Sequence, residues 1–271
     1  MNLVGSARER LLLCAPFVST HAAELIERCC VSADAIGARS TILTDLSPRA
    51  VCDGATDPGA VVRLQRALPG CRVVHLPRLH AKVYLADGQR AIVTSGNLTA
   101  GGLRYNHECG VLLDAVSAVQ RLEREILAYG ALGCSLDSNA LGEYSDLASS
   151  VVDAERREKR SATQAARKAL AAALSQAESM LIRARLGGGP MHPVFERTIL
   201  FLLTRSGPLP TTRLHPLVQQ IHPDLCDDSV DRVIDGVHFG KKWKHAVRTA
   251  QQQLRKKGLV ELVDGAWRLV R

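Results

Sequence analysis

His80 and Lys82 stand two residues apart, followed by Asp87 and then by Thr94-Ser95-Gly96-Asn97. Side chains alternate along a strand with period two, so an extended segment here puts His80 and Lys82 on one face. Val83-Tyr84-Leu85 continues as an apolar strand, Asp87-Gly88 is a turn signal, and Ala91-Ile92-Val93-Thr94 begins a second strand. The short polar loop behind it returns Ser95 and Asn97 towards the pair. One nucleophile or base, one fixed cation and two neutral hydrogen-bonding groups then converge on a point, and such a set suits a phosphate.

Holding such groups in place takes a frame. Apolar runs rich in Val, Ile and Leu predict strands over residues 10–17, 40–46, 71–76, 82–86, 91–94 and 109–113. Between and after them, residues 20–30, 58–68 and 116–129 read as helices, the second with proline in its first turn. Strands alternating with helices predict a layered α/β domain over residues 1–135.

Residues 136–189 are expected to be a linker with a long helix. From 151 to 186 the composition is Ala, Arg, Glu, Lys and Gln without Gly or Pro, stopped by Gly187-Gly188-Gly189-Pro190. Its apolar positions are mostly alanine, which predicts a spacer or coiled-coil arm. Residues 190–271 read as a second domain. Helices are expected at 194–205, 211–221 and, shorter, at 229–237. A strongly basic helix at 241–257 follows, and then two short strands joined by Asp264-Gly265. Helices followed by a β-hairpin make the plan of a winged-helix domain. Lys241, Lys242, Lys244, Arg248, Arg255, Lys256 and Lys257 are its candidate DNA-contacting set, and Trp243 and Trp267 its expected core anchors.

The 271-residue chain is 46% hydrophobic and 23% charged, normal for a globular protein. No apolar run approaches the ~18 residues of a membrane span, and Met1 to Arg10 has no signal-peptide pattern, so a cytoplasmic location is expected. The cysteines at 14, 29, 30, 52, 71, 109, 134 and 226 form no C-x-x-C pair and are expected to be reduced and mostly buried. Charge is uneven. Residues 1–150 carry 14 Lys and Arg against 15 Asp and Glu, and residues 151–271 carry 21 against 12, so the excess lies in the C-terminal part. That asymmetry points to an anionic partner held by one module, nucleic acid first and a membrane surface second.

The stretch from His80 to Glu108 resembles the signature of the phospholipase D superfamily, His-x-Lys-x4-Asp followed by a Gly-Ser-x-Asn loop. His80, Lys82 and Asp87 match the first part, and Ser95 and Asn97 match the loop. Glu108 falls where the nuclease branch carries an acidic residue. Thr94 stands where glycine is usual. The resemblance spans residues 8–130 and implies a layered α/β/α fold with phosphodiesterase activity. Two-lobed members carry the motif twice. This chain carries it once, so the resemblance implies a homodimer that completes the site across a two-fold axis.

It also implies roles. His80 attacks phosphorus and forms a phosphohistidine, while His80 of the partner subunit protonates the leaving oxygen and later activates water. Lys82 and Asn97 hold the non-bridging oxygens, Ser95 supports the loop or bonds the phosphate, and Glu108 orients His80. Asp87 anchors the strand turn. No metal or other cofactor is called for.

The C-terminal residues are similar to the N-terminal domain of Mrr-type restriction proteins, through Trp243, Val247 and Arg248 and through Lys257-Gly258-Leu259-Val260-Glu261. The expected function is therefore a metal-independent DNA phosphodiesterase of prokaryotic restriction or phage defence. DNA, a second copy of the chain and further subunits of a defence system are the candidate partners, and no membrane is expected. The alternatives are a phospholipid hydrolase or transferase of the same superfamily, and a DNA-binding accessory subunit of a defence complex.

Overall fold

Every residue of β1 (Leu11–Cys14) is buried, as an unalternated apolar run must be when both faces of a sheet are covered. The computed structural model describes residues 2–30, 36, 37, 39–161 and 163–270, in two compact units, Met1–Arg185 and Leu186–Arg271.

In the first unit β1 runs parallel to β2 (Thr41–Thr44), and β2 runs parallel to β3 (Arg72–His75). On the other side of β1, β4 (Val83–Ala86), β5 (Arg90–Thr94) and β6 (Gly110–Leu113) follow in antiparallel order. A strand absent from the sequence reading, β7 (Cys134–Leu136), pairs antiparallel with β3. The mixed sheet is ordered β6-β5-β4-β1-β2-β3-β7.

Helices cover it. After α1 (Asn2–Ser6), α2 (Thr20–Cys29) starts at Ser19, whose hydroxyl accepts from the Ala22 N–H, and it buries Ala22, Ala23 and Ile26. A short helix α3 (Pro48–Cys52) precedes α4 (Pro58–Ala67). Asp57 caps α4 through the Gly59 N–H, Pro58 opens it, and Val61 and Leu64 are buried on it. α5 (Val116–Gly130) packs on β5 and β6.

The expected spacer is instead part of this core. Two helices, α6 (Ser138–Ser161) and α7 (Gln164–Leu186), replace the single one. Leu141, Tyr144, Ala148 and Val151 of α6 join the cluster that contains Leu11, Ile42 and Leu64, as do Ala177, Met180 and Leu181 of α7. The residues that dock α6 sit three to four apart, and all but Val151 lie before the stretch of helix-like composition, among Gly, Ser, Asn and Asp. Tyr144 donates to the Leu46 carbonyl, and Arg185 Nη2 donates to the Leu132 carbonyl at 2.7 Å.

The second unit opens with α8 (His192–Ser206), β8 (Leu209–Pro210) and α9 (Thr211–Ile221). The helix expected at 229–237 is a β-hairpin, β9 (Asp231–Ile234) and β10 (Val237–Lys241). Val233, Ile234 and Val237 favour strand, and Asp235-Gly236 takes up the turn with φ of 49° and 79°. The basic helix is α10 (Lys242–Lys256), and β11 (Val260–Val263) and β12 (Ala266–Leu269) follow as a hairpin. β12 also pairs with β8, giving a three-stranded sheet ordered β11-β12-β8.

Trp243 and Trp267 are core residues, as expected. Their indole N–H groups donate to Asp228 at 2.9 Å and to Thr211 at 3.1 Å. All eight cysteines are free, and Cys109 alone is exposed. No helix among the described residues is long and apolar enough to cross a membrane.

The β4–β5 turn is pinned by one carboxylate. Asp87 and Gly88 adopt φ of 57° and 65°. The Asp87 side chain accepts from the backbone N–H groups of Arg8, Glu9 and Arg10 at 2.8–3.1 Å. Burial pushes its pKa up, but the bonds from Arg10, Glu9 and Arg8 outweigh that and leave it below the ordinary carboxylate value. A depressed pKa means that this stability is present at neutral pH and lost on acidification through the folded-state value. Asp87→Ala is expected to cost about 1–2 kcal/mol in urea titration at pH 7, the exposed part of the carboxylate moderating the loss. The difference from wild type should shrink below about pH 4.

Candidate functional site at the end of the sheet

Because β4 is antiparallel to β1, its first residue Val83 lies beside Cys14, the last residue of β1. The chain entering β4 therefore sits at the carboxyl ends of the parallel strands, where open α/β sheets place ligands. His80 and Lys82 lie in that entering segment, just outside the strand. The ladder nevertheless reaches Lys82, whose carbonyl accepts from the Thr94 N–H at 3.1 Å.

The two side chains meet. Lys82 Nζ lies 3.3 Å from His80 Nε2 and 3.4 Å from Nδ1, and it donates to the His80 carbonyl at 3.0 Å. Lys82 is buried and the His80 ring is exposed, so the cation is fixed from below while the imidazole faces solvent. Burial pulls the Lys82 pKa below its ordinary value, with Glu108 and Cys14 acting partly against this. Burial pushes the neighbouring Cys14 thiol up to about 12, with Lys82 opposing.

The same sheet end receives the polar loop. The end of β5, Thr94, pairs with Gly110 at the start of β6, so Ser95 and Glu108 are brought side by side. The Ser95 hydroxyl donates to Glu108 Oε2 and accepts from the Cys109 N–H at 3.1 Å. Asn106 Nδ2 donates to Glu108 Oε1 at 3.2 Å. The bond from Ser95, then that from Asn106, holds the Glu108 carboxyl below its ordinary pKa. These two bonds occupy Glu108 among the described residues. Within one chain it fastens the loop and makes no hydrogen bond to His80, the partner the sequence reading gave it.

Thr94, in the usual glycine position, bonds the Cys109 carbonyl at 3.1 Å and accepts from the Gly96 N–H at 3.2 Å. Asn97 Oδ1 is buried with no hydrogen-bond partner among the described residues, an arrangement that calls for a functional explanation.

Several positioning residues escaped the sequence reading. The buried Tyr84 hydroxyl donates to the Gly96 carbonyl at 2.8 Å, and the Ser19 N–H donates to the Leu98 carbonyl at 2.8 Å, tying the loop to the start of α2. A π-helical turn at Gly101–Tyr105 backs it, a conformation that clusters at functional sites. Asp45, directly after β2, accepts from the Ser47 N–H at 2.8 Å and from the Arg78 N–H at 3.0 Å. Arg78 has φ of 62° and lies two residues before His80. Beside it His75 Nδ1 accepts from the Leu46 N–H at 2.9 Å. Burial, and secondarily the Arg185 charge, pushes the His75 pKa down to about 3, so its imidazole is neutral. An acid immediately following a buried strand is the one signal the sequence offered for this network.

In the second unit the basic residues divide. Lys241 belongs to β10 and pairs with Asp231 at 2.8 Å, and Lys257 pairs with Glu196. Lys244 is half-buried over the Trp243 ring, 5.4 Å from its centroid. Lys242, Arg248, Arg255 and Lys256 are exposed on α10 with no carboxylate partner among the described residues. The opposite face of α10 buries Trp243, Val247, Ala250 and Leu254.

Residues 1–129 match the family model described as cardiolipin synthase, PLD-like domain. No curated protein matches the chain. Among solved structures, a phospholipase D family member, Nuc from Salmonella typhimurium, is similar at 15% identity with a TM-score of 0.42, covering 50% of this chain and 86% of that one. NucT from Helicobacter pylori is similar at 15% identity and a TM-score of 0.41, covering 50% of this chain and 87% of that one.

The loop geometry leaves no room at Gly102. A Cβ there would lie 2.5 Å from both the backbone N and O of Asn97, backbone atoms that cannot turn aside. Gly102→Ala is expected to cost about 1–3 kcal/mol in a denaturation curve. It should also move the Asn97 and Gly96 amide resonances while those of the second unit stay in place.

Proposed function

We propose that the protein is a metal-independent DNA phosphodiesterase acting through a phosphohistidine in prokaryotic restriction or phage defence, within the cytoplasm, a reading supported by the match of residues 1–129 to a PLD-like domain model. The observation that carries this reading is the convergence of an exposed His80, a buried Lys82 at 3.3 Å, and the Asn97 and Ser95–Glu108 loop at one sheet end.

His80 attacks phosphorus, forming the N–P bond as the bond to the leaving oxygen breaks. His80 of the partner subunit gives that oxygen its proton, then takes one from the water that hydrolyses the phosphohistidine. Lys82 and the Asn97 amide bind the non-bridging oxygens, where charge grows in the transition state. Ser95 and Glu108 hold the loop that carries Asn97.

A second copy is required by this chemistry, and the β6 edge supplies a surface for it. Val111 and Leu112 of that edge strand are 56% and 61% exposed, and the strand begins two residues after Glu108 of the site loop. A bare apolar edge strand is a liability unless another chain covers it.

The DNA-binding part of the proposal rests on the second unit. Its order α8-β8-α9-α10-β11-β12, with β8 on the β11–β12 hairpin, fits a winged helix. The exposed Lys242, Arg248, Arg255 and Lys256 make α10 its groove helix, and the β9–β10 hairpin is inserted before that helix.

In EDTA the wild-type protein is expected to cleave DNA, and His80→Ala should be at least about a thousandfold slower. Absence of wild-type cleavage, or cleavage by His80→Ala at the wild-type rate, overturns the reading. Hydrolysis of cardiolipin vesicles without DNA cleavage would replace it with the phospholipid alternative. Light scattering should give twice the 29.3 kDa chain mass. Leu112→Asp is expected to yield folded monomers without cleavage activity.

A further inference from the structure

The β9–β10 hairpin stands apart from both sheets as a two-stranded ribbon of its own. Isolated hairpins of this size are marginal in water, yet this one carries Val233, Ile234, Val237 and Phe239 exposed, Val237 at 56% and Phe239 at 49%. Val233 and Ile234 are consecutive and so face opposite sides of the ribbon. None of these four side chains is buried within the unit.

The base of the ribbon is fastened to the first turns of α10. The Lys242 N–H donates to the Val230 carbonyl at 3.0 Å, and Asp231 bridges Lys241 at 2.8 Å and His238 at 3.3 Å across the strands. Arg232 Nη1 donates to His245 Nδ1 at 3.2 Å. His245 therefore carries its proton on Nε2, which donates to the Phe239 carbonyl. These bonds hold the ribbon beside the exposed face of α10.

Charge identifies what covers it. Residues 230–257 carry eight Lys and Arg against two Asp, and Arg232, Lys242 and Arg248 have no carboxylate partner among the described residues. An apolar ribbon set among uncompensated cations suits a polyanion that also offers apolar surface. A DNA duplex does so, since its major groove admits a two-stranded ribbon and presents base edges and thymine methyls to it.

We propose that the β9–β10 hairpin is a second DNA-reading element, which enters the major groove alongside α10 and presses Val237 and Phe239 against the bases. It is an insertion between α9 and α10, distinct from the β11–β12 wing, and it rests on the DNA-binding reading above. The cations of α10 supply the salt-dependent part of the affinity, and the ribbon supplies an apolar, salt-independent part.

The test uses the full chain carrying His80→Ala, so that DNA is bound without the wild-type cleavage, and a labelled duplex oligonucleotide. Adding Val237→Ser with Phe239→Ser should weaken binding at least about tenfold with the slope of log affinity against log salt unchanged. Lys242→Ala with Arg248→Ala should instead flatten that slope. Phe239→Leu, which keeps the apolar bulk, should bind close to the parent. Melting curves identical to the parent's are expected, because the substituted side chains are exposed.

If the Ser variant binds as the parent does while the Lys242/Arg248 variant is weakened, the hairpin proposal fails and the DNA-binding reading stands. A change in oligomeric mass with DNA affinity intact also overturns the proposal, since the ribbon then covers a second copy. If the parent binds no duplex, both readings fall.

Discussion

The antiparallel pairing of β4 with β1 is the constraint on which the site depends. β1, β2 and β3 run parallel and deliver their loops to one end of the sheet. Reversing β4 against β1 brings the entering segment, with His80 and Lys82, back to that same end. The β4–β5 hairpin then returns the chain once more, so that Thr94 stands opposite Lys82 and the loop carrying Asn97 begins where the His80 segment stops. A register slip of one residue in β4 would turn His80 and Lys82 together to the other face, away from the loop that carries Asn97. Asp87 guards that register at the far end of the hairpin by holding three consecutive backbone N–H groups before β1.

Around this arrangement the structure fixes backbone more than side chain. Tyr84, Ser19 and Asp45 each reach a main-chain group of the site loops. Asp45 reaches Arg78 in a left-handed conformation that a non-glycine residue keeps only when its surroundings demand it. The exposed imidazole of His80 is thereby carried on a stiff loop, and the buried ammonium of Lys82 sits beneath it. Burial weakens the hold of Lys82 on its proton, and the nearby Glu108 carboxylate restores part of it. A cation held in low dielectric acts more strongly on an arriving anion than the same cation in water would.

Much of the frame was legible from the chain. The strands and helices around His80 fall within one to three residues of their expected bounds, because apolar runs and turn residues such as Asp87-Gly88 signal locally. The misreadings have local causes too. Val151 to Leu186 has the composition of a spacer because its alanines carry little hydrophobic signal, yet alanine is what lets α7 approach the core closely at Ala177. The segment at 229–237 forms a hairpin and not the expected helix because β-branched residues flank its Asp235-Gly236 turn. The basic cluster read as one helix face splits, since Lys241 and Lys257 are spent on Asp231 and Glu196.

By itself the sequence determined which groups the site contains, for residue type and short spacing decide that His80 and Lys82 are neighbours and that Ser95 and Asn97 share a loop. It also determined that the charge excess lies after residue 150, a stretch that the fold divides between α6 and α7 of the first unit and the whole of the second. Only the tertiary structure decided who holds whom. Glu108 binds Ser95 and Asn106 within the chain, Asp45 steadies the His80 segment from 33 residues away, and α6 and α7 belong to the first unit. The physical reason is range. Alternation, turns and caps are set by a few consecutive residues, whereas hydrogen bonds between distant loops exist only once sheet order and strand direction have brought those loops together.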